Sequence, residues 1–412
     1  MSKSGTTEHP PTMGDLFREP RARAYFLGVG VSLFGDNVLT LAAGVWVKTL
    51  TGNDGAGGLV SFFLLLPTLF SPLFGVLADR VRKRSLMIAT NACLAVIVPS
   101  LLFVHAANDV WLVYLVMLAS GVAIAVLAAA QSGLFVTMLP ERLLGTANST
   151  YTSMQEGMKV LAPAAGAALF VWVGGGLIGL LDGLTFLVAC AVLWKIKVPE
   201  PAPKPRHAKL RAELTEGFRH LAKVAELRVV VGAAAVIMLT AGFVTTALFG
   251  VVSTGLGRAP AFLGVVTSMQ GIGSVVGGLL APRLIAKLGE ARTVGCAAVL
   301  NAAGTALLAV PSVAVVLPGN ALRGVGLAWM LIGAITLMQR RTPGELMGRA
   351  ASGLYMLLFG PSVLALLTGA GLTNVAGHLT LVVVAAVLAA VAGAAVLLRR
   401  DRPDRMSTKE ES

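Results

Sequence analysis

Five charged side chains fall inside long apolar stretches of this 412-residue sequence: Asp36, Glu156, Lys159, Asp182 and Arg323. An Asp, Lys or Arg at the centre of a lipid-spanning helix costs about 2.5–3.5 kcal/mol on insertion scales, so such residues mark working sites by default. The three acids, Asp36, Glu156 and Asp182, are candidates for reversible proton binding. Asp36 lies about twelve residues into its stretch, ~18 Å deep at ~1.5 Å per residue. Asn37 and Thr40 are placed to share a polar pocket with it. Glu156 and Lys159, three apart, are neighbours on one helix face, where Glu156 would bind a proton or a cationic ligand group and Lys159 would tune it. Gln155, one turn before Lys159, would line the same cavity. Asp182 is about six residues into its stretch and is expected nearer the far surface. Arg323 is expected to pair with one of these acids. Each residue also has a plain structural alternative: an acid that stabilises packing, or a Glu156–Lys159 pair that only neutralises itself. Gln131, Gln270, Asn301 and Asn320 are polar groups of a cavity or interhelical hydrogen bonds.

Other chemistries lack their residues. There is no Gly-x-x-x-x-Gly-Lys-Ser/Thr loop for nucleotide, no His-Glu-x-x-His zinc helix and no Gly-x-Ser-x-Gly nucleophile turn. The five histidines are scattered over tails and loops. Cys93, Cys190 and Cys296 sit in apolar stretches and imply no disulfide framework. No cofactor or metal and no enzymatic activity are expected.

The elements that must position the charges are long helices. Hydrophobic residues make up 56% of the chain and charged residues 13%, about half the ~25% usual in soluble domains. Mean hydropathy is +0.81. A lipid-spanning helix needs about 20 mostly apolar residues, and twelve such runs are present: 24–50, 55–78, 85–106, 110–138, 148–173, 175–195, 229–253, 260–285, 293–311, 313–338, 350–373 and 377–398. The runs are too long for outer-membrane barrel strands, whose ~10-residue segments alternate in polarity.

The net charge of +13 then becomes a statement about orientation. With the N-terminus assigned to the cytoplasm, only Lys48 and Arg258 of the 33 Lys and Arg residues fall in loops on the opposite face. Lys159 and Arg323 lie within runs, and the rest are cytoplasmic. The positive-inside rule therefore puts both termini inside. This distribution leaves no basis for nucleic-acid binding.

Residues 198–228 divide the chain. A proline-rich charged segment is followed by Leu210, Leu214, Phe218 and Leu221 at helical spacing, the mark of an amphipathic helix on the inner membrane face. The expected organisation is a cytoplasmic tail 1–23, a six-helix bundle 24–197, the cytoplasmic central loop 198–228, a second bundle 229–398 and a cytoplasmic tail 399–412. The halves repeat at a constant offset of 203: Pro140-Glu-Arg-Leu-Leu-Gly matches Pro343-Gly-Glu-Leu-Met-Gly, and Gly75, Ala78 and Arg80 match Gly278, Ala281 and Arg283. Gly121/Gly324 and Gly166/Gly369 keep the same offset. The fold class is all-α integral membrane, with twelve transmembrane helices in two pseudo-symmetric six-helix bundles. Repeated bundles of this kind suit a transporter that rocks about a midplane site.

The loop Gly75-Val-Leu-Ala-Asp79-Arg80-Val-Arg82-Lys83-Arg84 resembles the signature loop of the major facilitator superfamily. The chain further resembles the drug-exporter branch with macrolide-efflux and enterobactin-exporter proteins. That likeness rests on Gly35-Asp36, on Pro140 with Ala147-Asn148-Ser149, on Asp182-Gly-Leu-Thr-Phe186 and on Glu213 with Glu216-Gly217. It implies a gating role for Gly75, Asp79 and Arg80, while Arg82, Lys83 and Arg84 serve topology. Two departures from the family pattern stand out. The fifth run reads Ala162-Pro163-Ala-Ala-Gly166 in place of Gly-Pro-x-x-Gly. The fourth run, Leu118-Ala-Ser120-Gly121, lacks the arginine of many proton-coupled members, whereas its repeat partner Arg323-Gly324 has one.

The expectation is a monomeric secondary active transporter in the bacterial cell membrane, exporting a bulky, partly lipophilic small molecule such as an antibiotic or siderophore. Protons and the lipid bilayer are its other partners. The alternatives are an importer or lipid flippase with different coupling, or a receptor or scaffold that does not transport.

Overall fold

The computed structural model describes residues 13–196, 198, 210–343 and 346–398. The side chains of Asp79, Glu156 and Lys159 and of residues 210–215 lie outside the described ones. The described residues are helical almost throughout. A short helix α1 (Met13–Arg18) leads into α2 (Pro20–Thr51), α3 (Asp54–Leu65), α4 (Ser71–Arg80), α5 (Lys83–Ile97), α6 (Val110–Met138) and α7 (Leu144–Lys195). The second half holds α8 (Leu210–Lys223), α9 (Ala225–Gly250), α10 (Leu263–Leu288), α11 (Glu290–Leu307), α12 (Val313–Arg341) and α13 (Met347–Leu397).

These helices account for all twelve runs. α3 and α4 form one span joined by a 3-10 turn, Leu66–Phe70, that contains Pro67, and α5 continues into the 3-10 segment Val98–Phe103. α7 and α13 are each two spans, folded back at Gly174 (φ 76, ψ 168) and Gly377 (φ 77, ψ 161). Those dihedrals lie in a region open essentially to glycine alone. The two glycines also stand 203 residues apart, so the repeat extends to the hairpins themselves.

Local chemistry sets the ends of the spans. Gly52, in the left-handed conformation, closes α2 by donating its N–H to the carbonyl of Lys48, and Asn53 caps α3 by accepting from Ala56 N–H at 3.1 Å. In the loop before α6, Asp109 accepts from the backbone N–H groups of His105 and Ala106 at 3.0 and 2.9 Å, which hold its carboxyl below the usual carboxylate range. Arg84 grips the end of α7, donating to the carbonyls of Leu193 and Trp194 at 2.7 Å each. The role expected for Arg84 was topology; its guanidinium also satisfies carbonyls that a helix terminus leaves without partners.

Large apolar side chains face outward around the whole molecule, including Trp172 at 83% and Trp194 at 77% exposure near opposite ends. A soluble monomer does not carry contiguous apolar surface of this extent; lipid is its natural solvent, with tryptophans at the two interfaces. Inside, each half has its own core. Residues such as Val113, Met117, Ile178 and Phe186 pack in the first half, and Val230, Ala297, Met330 and Leu354 pack in the second.

The amphipathic helix forms as α8, and at its described end, from Glu216 on, it packs against protein. Leu221 is buried with Leu227, Val230 and Leu354. Glu216 pairs with Arg349 of α13, and His220 Nε2 meets the carbonyl of Arg341 at 3.2 Å. A side chain on Gly217 would overlap the Arg349 carbonyl, so the helix is seated directly on the second half. Arg340–Glu290 and Arg341–Glu226, each at 2.7 Å, add ties at this basic end. All of these ion pairs stay within one half.

The halves meet at the opposite end. Gly55, Gly57 and Gly58, at the start of α3, lie against Ala370, Phe249 and Thr246 of the second half. A Cβ on Gly58 would come 2.6 Å from Thr246 Cγ2, and one on Gly264 would come 2.5 Å from Ala167 Cβ. Gly44 faces the Phe249 ring in the same way. This is a seam of bare backbone.

Candidate functional site

The site grows from the missing side chain of Gly35. α2 and the second span of α7 run side by side, and a Cβ on Gly35 would overlap the Asp182 Oδ1 atom. Asp182 is 2% exposed. Its Oδ1 accepts from Thr185 Oγ1 at 3.2 Å, a hydroxyl that also donates to the Asp182 carbonyl at 2.8 Å. Its Oδ2 is buried with no partner. Asp36 is the next residue of α2 after Gly35, and the two carboxyl groups are within electrostatic reach of one another. Asp182 therefore sits at the level of Asp36, deeper than its six-residue offset suggested, as the contact between Gly35 and its carboxyl shows.

Asp36 opens onto a cavity of about 60 Å³, lined also by Tyr25, Ser32, Asn91, Gln131 and Tyr151. That is room for a few waters. Tyr25 is 1% exposed and its hydroxyl has no partner, while its ring stacks edge-on against Phe135 at 5.3 Å. Tyr151 lies within electrostatic reach of Asp36 and receives a hydrogen bond from Gln155 Nε2 at 3.3 Å. Among the described residues lining the cavity, none is basic. A pair of carboxyls, one with a free oxygen, beside phenol groups and a small polar space can take up and hand on a proton. Among the described residues, no group of three or more His, Cys, Asp or Glu is arranged to hold a metal.

Other candidates fall elsewhere. Asn37 donates to the Leu33 carbonyl and Thr40 to the Asp36 carbonyl, both at 2.7 Å. Both hydrogen bonds are made within their own helix, and neither residue lines the cavity. Glu156 and Lys159 belong to the first span of α7, with side chains outside the described ones. Gly75 has open space where a side chain would be, and Arg80 is exposed at the end of α4. The Asp79 side chain lies outside the described ones.

Arg323 departs from its expected pairing. It is 1% exposed on α12, and no carboxylate among the described residues is within ion-pair distance. Its Nη1 donates instead to Asn320 Oδ1 at 2.6 Å, and Asn320 donates to the Val266 carbonyl of α10, also at 2.6 Å. The reason is placement: the acids of the cavity are in the first half, and this guanidinium lies inside the second. Sequence reasoning passed over Tyr25 and Tyr151. All four tyrosines of the chain lie in apolar runs, so their position in the sequence did not single these two out.

The Major Facilitator Superfamily model matches residues 25–256 and again residues 230–412. No curated protein sequence matches the chain. Among solved structures, the nucleoside transporter NupG is similar over 92% of this chain and 98% of its own, with a TM-score of 0.74 and 12% identity. A bacterial homologue of the iron transporter ferroportin, in an inward-facing state, covers 94% of this chain and 100% of its own at TM-score 0.69 and 15% identity. A bacterial homologue of the human lysosomal transporter Spinster, inward-facing and unoccupied, covers 94% and 99% at TM-score 0.65 and 13% identity.

Proposed function

Because this chain belongs to the major facilitator superfamily, we propose that it is a secondary active exporter of the bacterial cell membrane. It would carry a bulky, partly lipophilic small molecule, an antibiotic or a siderophore, out of the cell in exchange for protons. The carrying observation is the Asp36 carboxyl on a small cavity, with the buried Asp182 carboxyl within electrostatic reach behind it and no basic side chain among the described residues that line the cavity. Two like charges held that close favour sharing a proton. The basic end is assigned to the cytoplasm by the positive-inside rule, and both termini with it. The seam of glycines then lies on the outer side.

In the cycle, a proton entering from outside binds the carboxyl pair while the halves close around it. It leaves to the cytoplasm once the halves open inward, freeing the site for the return step with cargo. One charge crossing ~100 mV contributes about 2.3 kcal/mol. Glu156 is assigned as a second proton or cation group and Lys159 as its modulator. Asp79 and Arg80, with Gly75, form the gating loop. The working unit is a monomer, since one chain supplies both halves.

The test is reconstitution in proteoliposomes with an internal pH indicator. Cargo addition is expected to drive proton movement in the parent protein, and Asp36→Asn or Asp182→Asn should reduce it at least about tenfold, as for loss of an essential proton carrier. Unchanged cargo-driven proton movement in Asp36→Asn would falsify the coupling assignment. Expression in a host stripped of efflux pumps, with and without a protonophore, gives cargo and direction. Resistance that the protonophore does not touch speaks against proton-driven export.

A further inference from the structure

The second half buries a charge of its own. Arg323 is 1% exposed, Asn320 0%, Asn301 1% and Thr305 0%. The Asn320 amide is engaged at both ends, accepting from Arg323 and donating to the Val266 carbonyl. Arg323 Nε, both amide atoms of Asn301 and the Thr305 hydroxyl have no partner. These groups share one seam, that between the antiparallel α11 and α12. A Cβ on Gly304, beside Thr305, would come 2.9 Å from Arg323 Cγ, and one on Gly326 would come 3.3 Å from Asn301 Cβ. Arginine remains charged in proteins, and a buried charge persists when it is paired and hydrogen-bonded. The cluster supplies one fixed positive charge and three unpartnered donors, and among the described residues it has no carboxylate to meet them.

We infer that Arg323, Asn301 and Thr305 bind a small inorganic monoanion of the halide class within the second half. The size follows from the glycines of the seam. A Cβ on Gly304 would fall 2.5 Å from the Gly319 carbonyl oxygen, and one on Gly326 would fall 2.8 Å from that of Ala297. The helices therefore touch backbone to backbone on either side of the cluster, which limits any guest to a small ion and excludes an organic carboxylate. The site also stands apart from the repeat. The positions 203 residues earlier are Val98, Leu102, Met117 and Ser120, so the first half has no equivalent donor set. Anion and proton sites thus occupy different halves, and the anion acts as the counter-ion that the sequence led one to seek among the acids.

The experiment uses the full-length protein in lipid nanodiscs, prepared in gluconate. Thermal unfolding is followed as chloride or bromide replaces gluconate at constant ionic strength, with sulfate as control. A saturable rise in Tm with both halides, and none with sulfate, is expected. Thr305→Val and Asn301→Leu should raise the half-saturating halide concentration about tenfold, the equivalent of one lost hydrogen bond. Bromide anomalous diffraction should place the ion at Arg323. The assignment fails if Tm ignores halide, if sulfate acts equally, or if both variants respond as the parent does. It also fails if diffraction finds only water beside Arg323. No transport is read, so failure here leaves the coupling proposal untouched.

Discussion

Gly35 decides whether the two carboxyls can meet. Its hydrogen leaves the space that Asp182 Oδ1 occupies, so Gly35→Ala must push that carboxyl away from Asp36. The expected result is a folded protein with a strained α2–α7 contact, destabilised by about 1–3 kcal/mol as for an overpacked core. Proton-coupled transport should fall at least as far as in Asp182→Asn, measured in the same proteoliposomes. Full activity in Gly35→Ala would mean the adjacency is incidental. The acids themselves were legible, because a charge in an apolar run is conspicuous. Their adjacency was not, since it depends on the register of α2 against the second span of α7. Asn37 and Thr40 misled for a related reason: next to Asp36 in sequence, they satisfy their hydrogen bonds on the helix itself, as short polar side chains in helices often do.

Among the elements, α7 and α13 depend on a single backbone conformation each. Gly174 and Gly377 have nothing within 4 Å of where a Cβ would be, so substitution there tests backbone strain without crowding. Gly174→Ala and Gly377→Ala should each cost about 1–3 kcal/mol and lower Tm by similar amounts, given their matching dihedrals. A difference of several degrees between them would show that the hairpins are not equivalent. The breaks between runs at these points were readable from hydropathy, and so was α8 from its helical spacing. The seat of α8 was not readable. Amphipathic spacing says that one face is apolar, not whether lipid or protein covers it, and Gly217 and Glu216 tip the choice through close contact and a charge pair.

For the whole molecule, the seam between the halves is the feature that sets the resting arrangement. Gly58→Leu would drive a branched side chain into Thr246 and should shift the halves apart at that end. A cysteine introduced at Ala370, buried on the seam against Gly55, reports it: thiol labelling from outside should rise several-fold over the parent if the seam opens, and stay level if it does not carry closure. The repeat at an offset of 203 made the two halves evident in advance. The seam escaped notice because glycine is common in membrane helices and its partners are distant in sequence. Its chemistry has a further consequence. The side assigned to the exterior faces a medium whose salt and ions no cell controls. Closure there relies on shape, with ring against backbone and methyl against glycine. The nearby Lys48–Asp54 pair, at 2.5 Å, stays within one half. Across the seam the Asp54 carboxylate lies within electrostatic reach of His378, so brine should weaken this gate only to the extent that this pair, rather than shape, holds it shut.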